Sequence, residues 1–124
     1  MMQFLWVALG GAFGAVARFG VSEWAAARWG THFPYGTLVV NLSGSFLLGL
    51  ILTLAAERVA LPGEVRLLTT TGFMGAYTTF STFSWETARL FAGGGHWYAV
   101  LNVVVSVLGG LLAVLLGILV ARAI

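Results

Sequence analysis

The sequence predicts an all-α integral membrane protein with four transmembrane helices, and three observations predict it. Hydrophobic residues make up 60% of the 124-residue chain and charged residues only 8%, against about 25% charged in soluble domains. Mean hydropathy is +0.98. Four uncharged stretches approach or exceed the roughly 20 residues of helix that a hydrocarbon core requires. The charges are Arg18, Glu23, Arg28, Glu57, Arg58, Glu64, Arg66, Glu86, Arg89 and Arg122, with neither Lys nor Asp. A soluble fold would need a more polar surface, and a net charge of +2 is too small and scattered for a nucleic-acid partner. The absence of cysteine removes disulfides and thiolate chemistry. His32 and His96 stand alone in loops, so no histidine-based metal site is expected.

The spans fall at about 3–29, 35–56, 65–91 and 97–121, within one transmembrane domain. The first is uncharged from Met1 to Ala17 and continues in helical pattern to Trp29. It lacks a basic leading region and a small-residue cleavage site, so it reads as a retained helix. Gly10, Gly11 and Gly14 include a G-x-x-x-G spacing suited to close helix packing. Arg18 lies about two-thirds along this span, where a cation is costly unless it meets protein, water or an interface. Anchor and functional charge are both open readings of Arg18, since its stem could snorkel.

The second span is uncharged from Gly36 to Ala56, and Thr37, Asn41 and Ser45 recur every four residues along it. A lone intramembrane Asn is often interhelical glue, whereas three polar residues in a row suggest a lined interior. The fourth span, Trp97 to Ala121, repeats the device with Asn102 and Ser106, followed by Gly109, Gly110 and Gly117. Between spans lie Gly30–Pro34, the Arg58–Glu64 stretch with its Pro62-Gly63, and Gly93-Gly94-Gly95, which are turn-forming segments. Trp24, Trp29, Trp85, Trp97 and Tyr98 sit near span ends, as an aromatic belt would.

The third span carries the most information. Residues 72–86 read GFMGAYTTFSTFSWE, with Thr78, Thr79, Ser81, Thr82 and Ser84 interleaved with Phe80 and Phe83. Glycines and β-branched threonines weaken a helix, so a break is expected between Gly75 and Thr79, near the middle of the helix. Beyond it, Thr79, Thr82, Phe83 and Glu86 share a face. Hydroxyls and phenyl edges at membrane depth are a costly filling but a suitable lining for a small-ion path. Ser, Thr and Asn supply donors without a trapping charge, and an aromatic ring is electropositive at its edge. Phe80 and Phe83 could equally be a core pair.

Four spans put both termini beside the 57–66 loop. That side carries Arg58, Arg66 and Arg122 and the other Arg28 and Arg89, which is a weak positive-inside bias. Cytoplasmic termini and insertion in both orientations, with an inverted copy as partner, both remain open.

Three segments then carry a family resemblance: GGAFGAVAR at 10–18, PYGTLVVNLSGSFLLG at 34–49 and GAYTTFSTFSWE at 75–86. In order and spacing they resemble the CrcB, or Fluc, fluoride channels over nearly the whole chain. The resemblance implies an antiparallel, dual-topology homodimer in the inner (plasma) membrane, in contact with lipid. It implies two pores that passively export fluoride from the cytoplasm and so reduce its toxicity. On matching positions, Phe80 and Phe83 would offer ring edges to fluoride, Asn41 would be the pore asparagine, and Thr82 would be a hydroxyl of the polar track. Thr37, Asn102 and Ser106 would extend the lining, with Arg18 near the entrance and Glu86 at the outer end. Gly75 and Thr78 would give backbone carbonyls to a structural sodium ion at the dimer centre. The alternatives are a small proton-coupled multidrug transporter and a non-transporting scaffold. The transporter needs an acidic residue deep in its first helix, where this chain has only Glu23 near the end; the scaffold needs no polar stripes. An enzyme is not expected, because no nucleophile, base and orienting group converge.

Overall fold

A computed structural model describes all 124 residues, and it is helical throughout. Helix α1 spans Met2–Trp29, α2 Tyr35–Glu57 and α6 His96–Ala123. These three are long and apolar enough to cross a membrane. The segment between α2 and α6 is built from pieces: α3 (Gly63–Arg66), a π-helical stretch Leu67–Met74, α4 (Gly75–Tyr77) and α5 (Phe80–Ala92). Together they make a fourth, interrupted helix. The interruption is two extended residues, Thr78 (φ −88°, ψ 158°) and Thr79 (φ −153°, ψ 119°), inside the stretch marked by sequence.

The turns follow local chemistry. Gly30 and Gly94 adopt φ of +83° and +85°, backbone that L side chains rarely enter. Pro34 precedes α2 and Pro62 precedes α3, positions where a missing N–H costs nothing. The ends of α2 and α6 meet at one pole, where Arg122 Nη2 donates to Glu57 Oε1 at 2.9 Å and Arg58 to the Arg122 carbonyl at 2.6 Å. Helices α2 and α6 therefore run side by side in the same direction, and they share the most extensive packing in the chain.

That packing is made by small residues. A Cβ at Gly117 would strike the Phe46 carbonyl, and one at Gly49 would come within 2.5 Å of the Val114 carbonyl. Between α1 and the π-helical stretch, Cβ atoms at Gly10 and Gly14 would overlap the Leu68 and Phe73 carbonyls. The glycines of the first span thus let two backbones touch, which is how helices associate where lipid removes the hydrophobic drive. Only 17 residues are buried within the single chain. Leu111, Leu112, Leu115, Leu116 and Leu119 of α6 face outward, so apolar surface meets lipid or another chain instead of a dry core.

Candidate functional site: a polar seam around the helix break

The break exists because its backbone groups find side-chain partners. Asn41, on α2, donates from Nδ2 to the Thr79 carbonyl at 3.0 Å and accepts the Thr79 N–H on Oδ1 at 2.8 Å. The extended Thr79 presents both groups to one carboxamide, so Asn41 pairs with it as a neighbouring strand would. The Thr79 hydroxyl in turn caps α5, accepting the Thr82 N–H at 3.2 Å and donating to Thr82 Oγ1 at 3.1 Å. Freed backbone at membrane depth must be re-satisfied, and here one Asn and one Thr achieve it.

The seam continues on both sides of this pair. Toward the 30–36 loop, Thr37 Oγ1 donates to Glu86 Oε1 at 2.8 Å, while Glu86 Oε2 is shielded from solvent without a partner. Deeper in, Gly44 packs so closely on the break that a Cβ would overlap the Thr78 methyl. Ser43 Oγ lies 2.9 Å from the Tyr77 hydroxyl. The face of α2 that meets the break is therefore Thr37, Asn41 and Gly44. Ser45 instead turns toward α6, with Oγ 3.8 Å from a Cβ at Gly110. Steps of four residues overshoot a 3.6-residue turn by about 40° each, so the second step, to Ser45, leaves the face.

An open cavity of about 680 Å³ lies over this seam between the end of α1, the 30–36 loop and α5. Arg18, Thr37, Thr79, Thr82, Glu86 and Arg89 contribute to its wall. Arg18 and Glu86, expected near the entrance and at the outer end of the path, both line this cavity without an ion pair between them. Two guanidiniums and a row of hydroxyls suit a small anion.

Phe83, Asn102 and Ser106 form a second group on the other face of α5. Asn102 is 1% exposed and donates to Thr87 Oγ1 at 2.9 Å; Ser106 donates to Asn102 Oδ1 at 3.3 Å. Thr87 donates to the Phe83 carbonyl at 2.7 Å, so this chain of bonds ends one turn from the Phe83 ring. Phe80 and Phe83 have centroids 5.7 Å apart, yet Phe83 is 9% exposed and Phe80 is 79% exposed. Within one chain, Phe80 points away from both groups. Thr87 and Arg89 are the members that sequence reasoning left out of the site, and Thr79, placed there only on the face it shares with Thr82, is the residue that Asn41 holds and that caps α5. The signal for Thr79 was its place three residues before Thr82, the spacing of a helix cap.

The same break leaves two carbonyls uncovered. In a continuous helix the Thr79 and Thr82 N–H groups would bond the carbonyls of Gly75 and Thr78. Here they go to Asn41 and to the Thr79 hydroxyl. No turn, cap or side-chain hydrogen bond replaces them on either oxygen. Two neutral oxygens at membrane depth are donors that suit a hard cation, so the residues present fit a sodium ion.

Comparison with known proteins finds relatives along nearly the whole chain. The family described as "CrcB-like protein, Camphor Resistance (CrcB)" matches residues 5–118. A protein of Acidobacterium capsulatum named "Fluoride-specific ion channel FluC" is 50% identical over 121 residues, covering 98% of this chain and 97% of that one. Proteins of the same name from Chloroflexus aurantiacus (47% over 118 residues, 95% and 94% covered) and Magnetococcus marinus (50% over 121, 98% of each) are similar to it along nearly their whole lengths.

Proposed function

The chain belongs to the CrcB-like family, and on that premise we propose that it is a fluoride channel of the membrane, working as an antiparallel homodimer. The observation that carries the reading is the polar seam itself. Hydroxyl, amide and guanidinium donors run from the cavity at Arg18 and Glu86, past Thr37 and Thr82, to the break held by Asn41. Fluoride is small and strongly hydrated, so a path for it must replace water with donors at short range. Thr37, Thr82, Asn102 and Ser106 carry donors without fixed charge that would turn from their present bonds to Glu86, Thr87 and one another to meet the ion, and the Phe80 and Phe83 ring edges add electropositive surface. Arg18, on the cavity wall, would draw the anion in.

The two-chain assembly is supported by what one chain leaves exposed. Gly75, Phe80, Ser81, Ser84 and Trp85 all lie on the outside of the interrupted helix. A Cβ at Gly75 would meet nothing closer than 4.0 Å, so its smallness serves no packing within the chain. Exposed hydroxyls and a bare carbonyl at bilayer depth are costly unless another protein surface covers them. An inverted second copy would complete four carbonyl ligands around one sodium ion, from Gly75 and Thr78 of each chain, and would bring Phe80 against the partner. The cation, when bound, supplies positive potential to the anion path. Passive export from the cytoplasm across the inner membrane, through two pores per dimer, completes the reading.

The test is fluoride efflux from liposomes holding the purified protein, with chloride efflux from the same vesicles as control. Rapid fluoride release with chloride retained is expected. Release of neither ion from folded protein would overturn the channel reading.

A further inference from the structure

We infer that Asn41 is a positioning residue for the cation site: by holding the Thr79 amide, it keeps the Gly75 carbonyl free to ligate, and so sets the affinity for sodium. The inference rests on the sodium reading proposed above and extends it to a residue whose expected role was in the anion path.

The geometry leaves Asn41 little capacity for other work. Its Oδ1 accepts the Thr79 N–H and its Nδ2 donates to the Thr79 carbonyl, which leaves one N–H of the carboxamide for anything else. What those two bonds do is structural and specific. They hold Thr79 in the extended conformation. With the Thr79 amide unheld, Thr78 can relax from its extended ψ toward the helical region, which turns the Thr79 N–H onto the Gly75 oxygen and closes the ladder by one step. The Thr78 N–H already makes its helical bond to the Met74 carbonyl at 3.1 Å, so α4 is ready to be extended by that step. The Thr79 hydroxyl performs the matching task for the second oxygen, since it takes the Thr82 N–H that would otherwise cover the Thr78 carbonyl. Two ligands thus depend on two different side-chain atoms, and the dependencies can be separated by substitution.

The experiment measures thermal stability of the full-length dimer in detergent as sodium replaces N-methylglucamine. The sodium midpoint is read for wild type, Asn41→Ala, Thr79→Val and Thr79→Ser. The expected result is a stability that rises with sodium, with the midpoint moved up about tenfold in Asn41→Ala, the scale of one lost hydrogen-bond-sized interaction. Saturating sodium should restore most of the lost stability, which a merely structural asparagine would not allow. Thr79→Val should raise the midpoint and Thr79→Ser, which keeps the hydroxyl, should restore it. These threonine variants keep the inference falsifiable if Asn41→Ala does not fold: equal midpoints in Val and Ser would overturn the withholding of N–H groups from the carbonyls. An Asn41→Ala midpoint equal to wild type would overturn the role of Asn41. A wild-type protein indifferent to sodium would overturn the inference together with the cation site, while fluoride efflux, measured separately, would leave the channel reading standing.

Discussion

At the residue scale, the two phenylalanines are similar in sequence and different in place. Phe83 is enclosed beside Thr87, whereas Phe80 is exposed in the single chain. Phe83→Ile should cut fluoride efflux about tenfold or more, equivalent to about 1.4 kcal/mol of barrier, while the dimer still forms. Unchanged efflux would remove the ring edge from the mechanism. Thr37 makes a different case. It is 7% exposed and is the only recorded donor to Glu86. Thr37→Val leaves that carboxylate without a partner in a part-buried setting, so a loss of about 1–3 kcal/mol is expected, read by thermal melting. The hydroxyl-rich run and Asn41 were legible in the sequence because polar residues are conspicuous among apolar ones. Their partners were not. No local pattern shows that Asn41 faces the Thr79 backbone or that Asn102 reaches Thr87, since these pairs are 38 and 15 residues apart.

At the element scale, the all-helical build and the break between Gly75 and Thr79 could be read from hydropathy and β-branching. The π-helical stretch could not. Its wider turn depends on how closely α1 approaches, and that approach is set by Gly10, Gly14 and Gly72 meeting backbone to backbone. Two substitutions on α1 separate packing glycines from incidental ones. Gly14→Val would drive a side chain into Phe73 backbone and should destabilise by about 1–3 kcal/mol. Gly20→Ala has open space around it and should be neutral, or stabilising by about 0.5–1 kcal/mol through helix propensity. A melt of each variant in the same detergent gives the comparison; equal losses would mean that the close approach is not what holds α1.

At the scale of the whole molecule, the weak charge asymmetry and the exposed face of the interrupted helix point to the same assembly. A chain without cysteine allows a single introduced thiol to report on orientation. With Ile124→Cys, an impermeant thiol reagent should label the terminus from both sides of the membrane in equal parts, and the two termini of an antiparallel pair, on opposite faces, should form no disulfide with each other. Labelling from one side alone would overturn dual topology. The sequence carried the family likeness, but a face of the interrupted helix that a proposed second chain could cover became visible only once Gly75 and Phe80 were seen facing outward.

The π-helical stretch has a further consequence. A π turn accommodates about one more residue than an α turn over the same rise, so Leu67–Met74 acts as a phase element for everything after it. Removing one residue would let α geometry form with the downstream chain near its place, whereas forcing all eight residues into α turns would rotate it by about 100°. Thr79 would then leave Asn41, Thr87 would leave Asn102, and the protein would still be hydrophobic, helical and able to insert. Substitutions that close this stretch into α turns without a deletion should therefore yield a channel-dead protein with normal membrane targeting. Along this helix, what is tolerated is decided by angular register as much as by residue type.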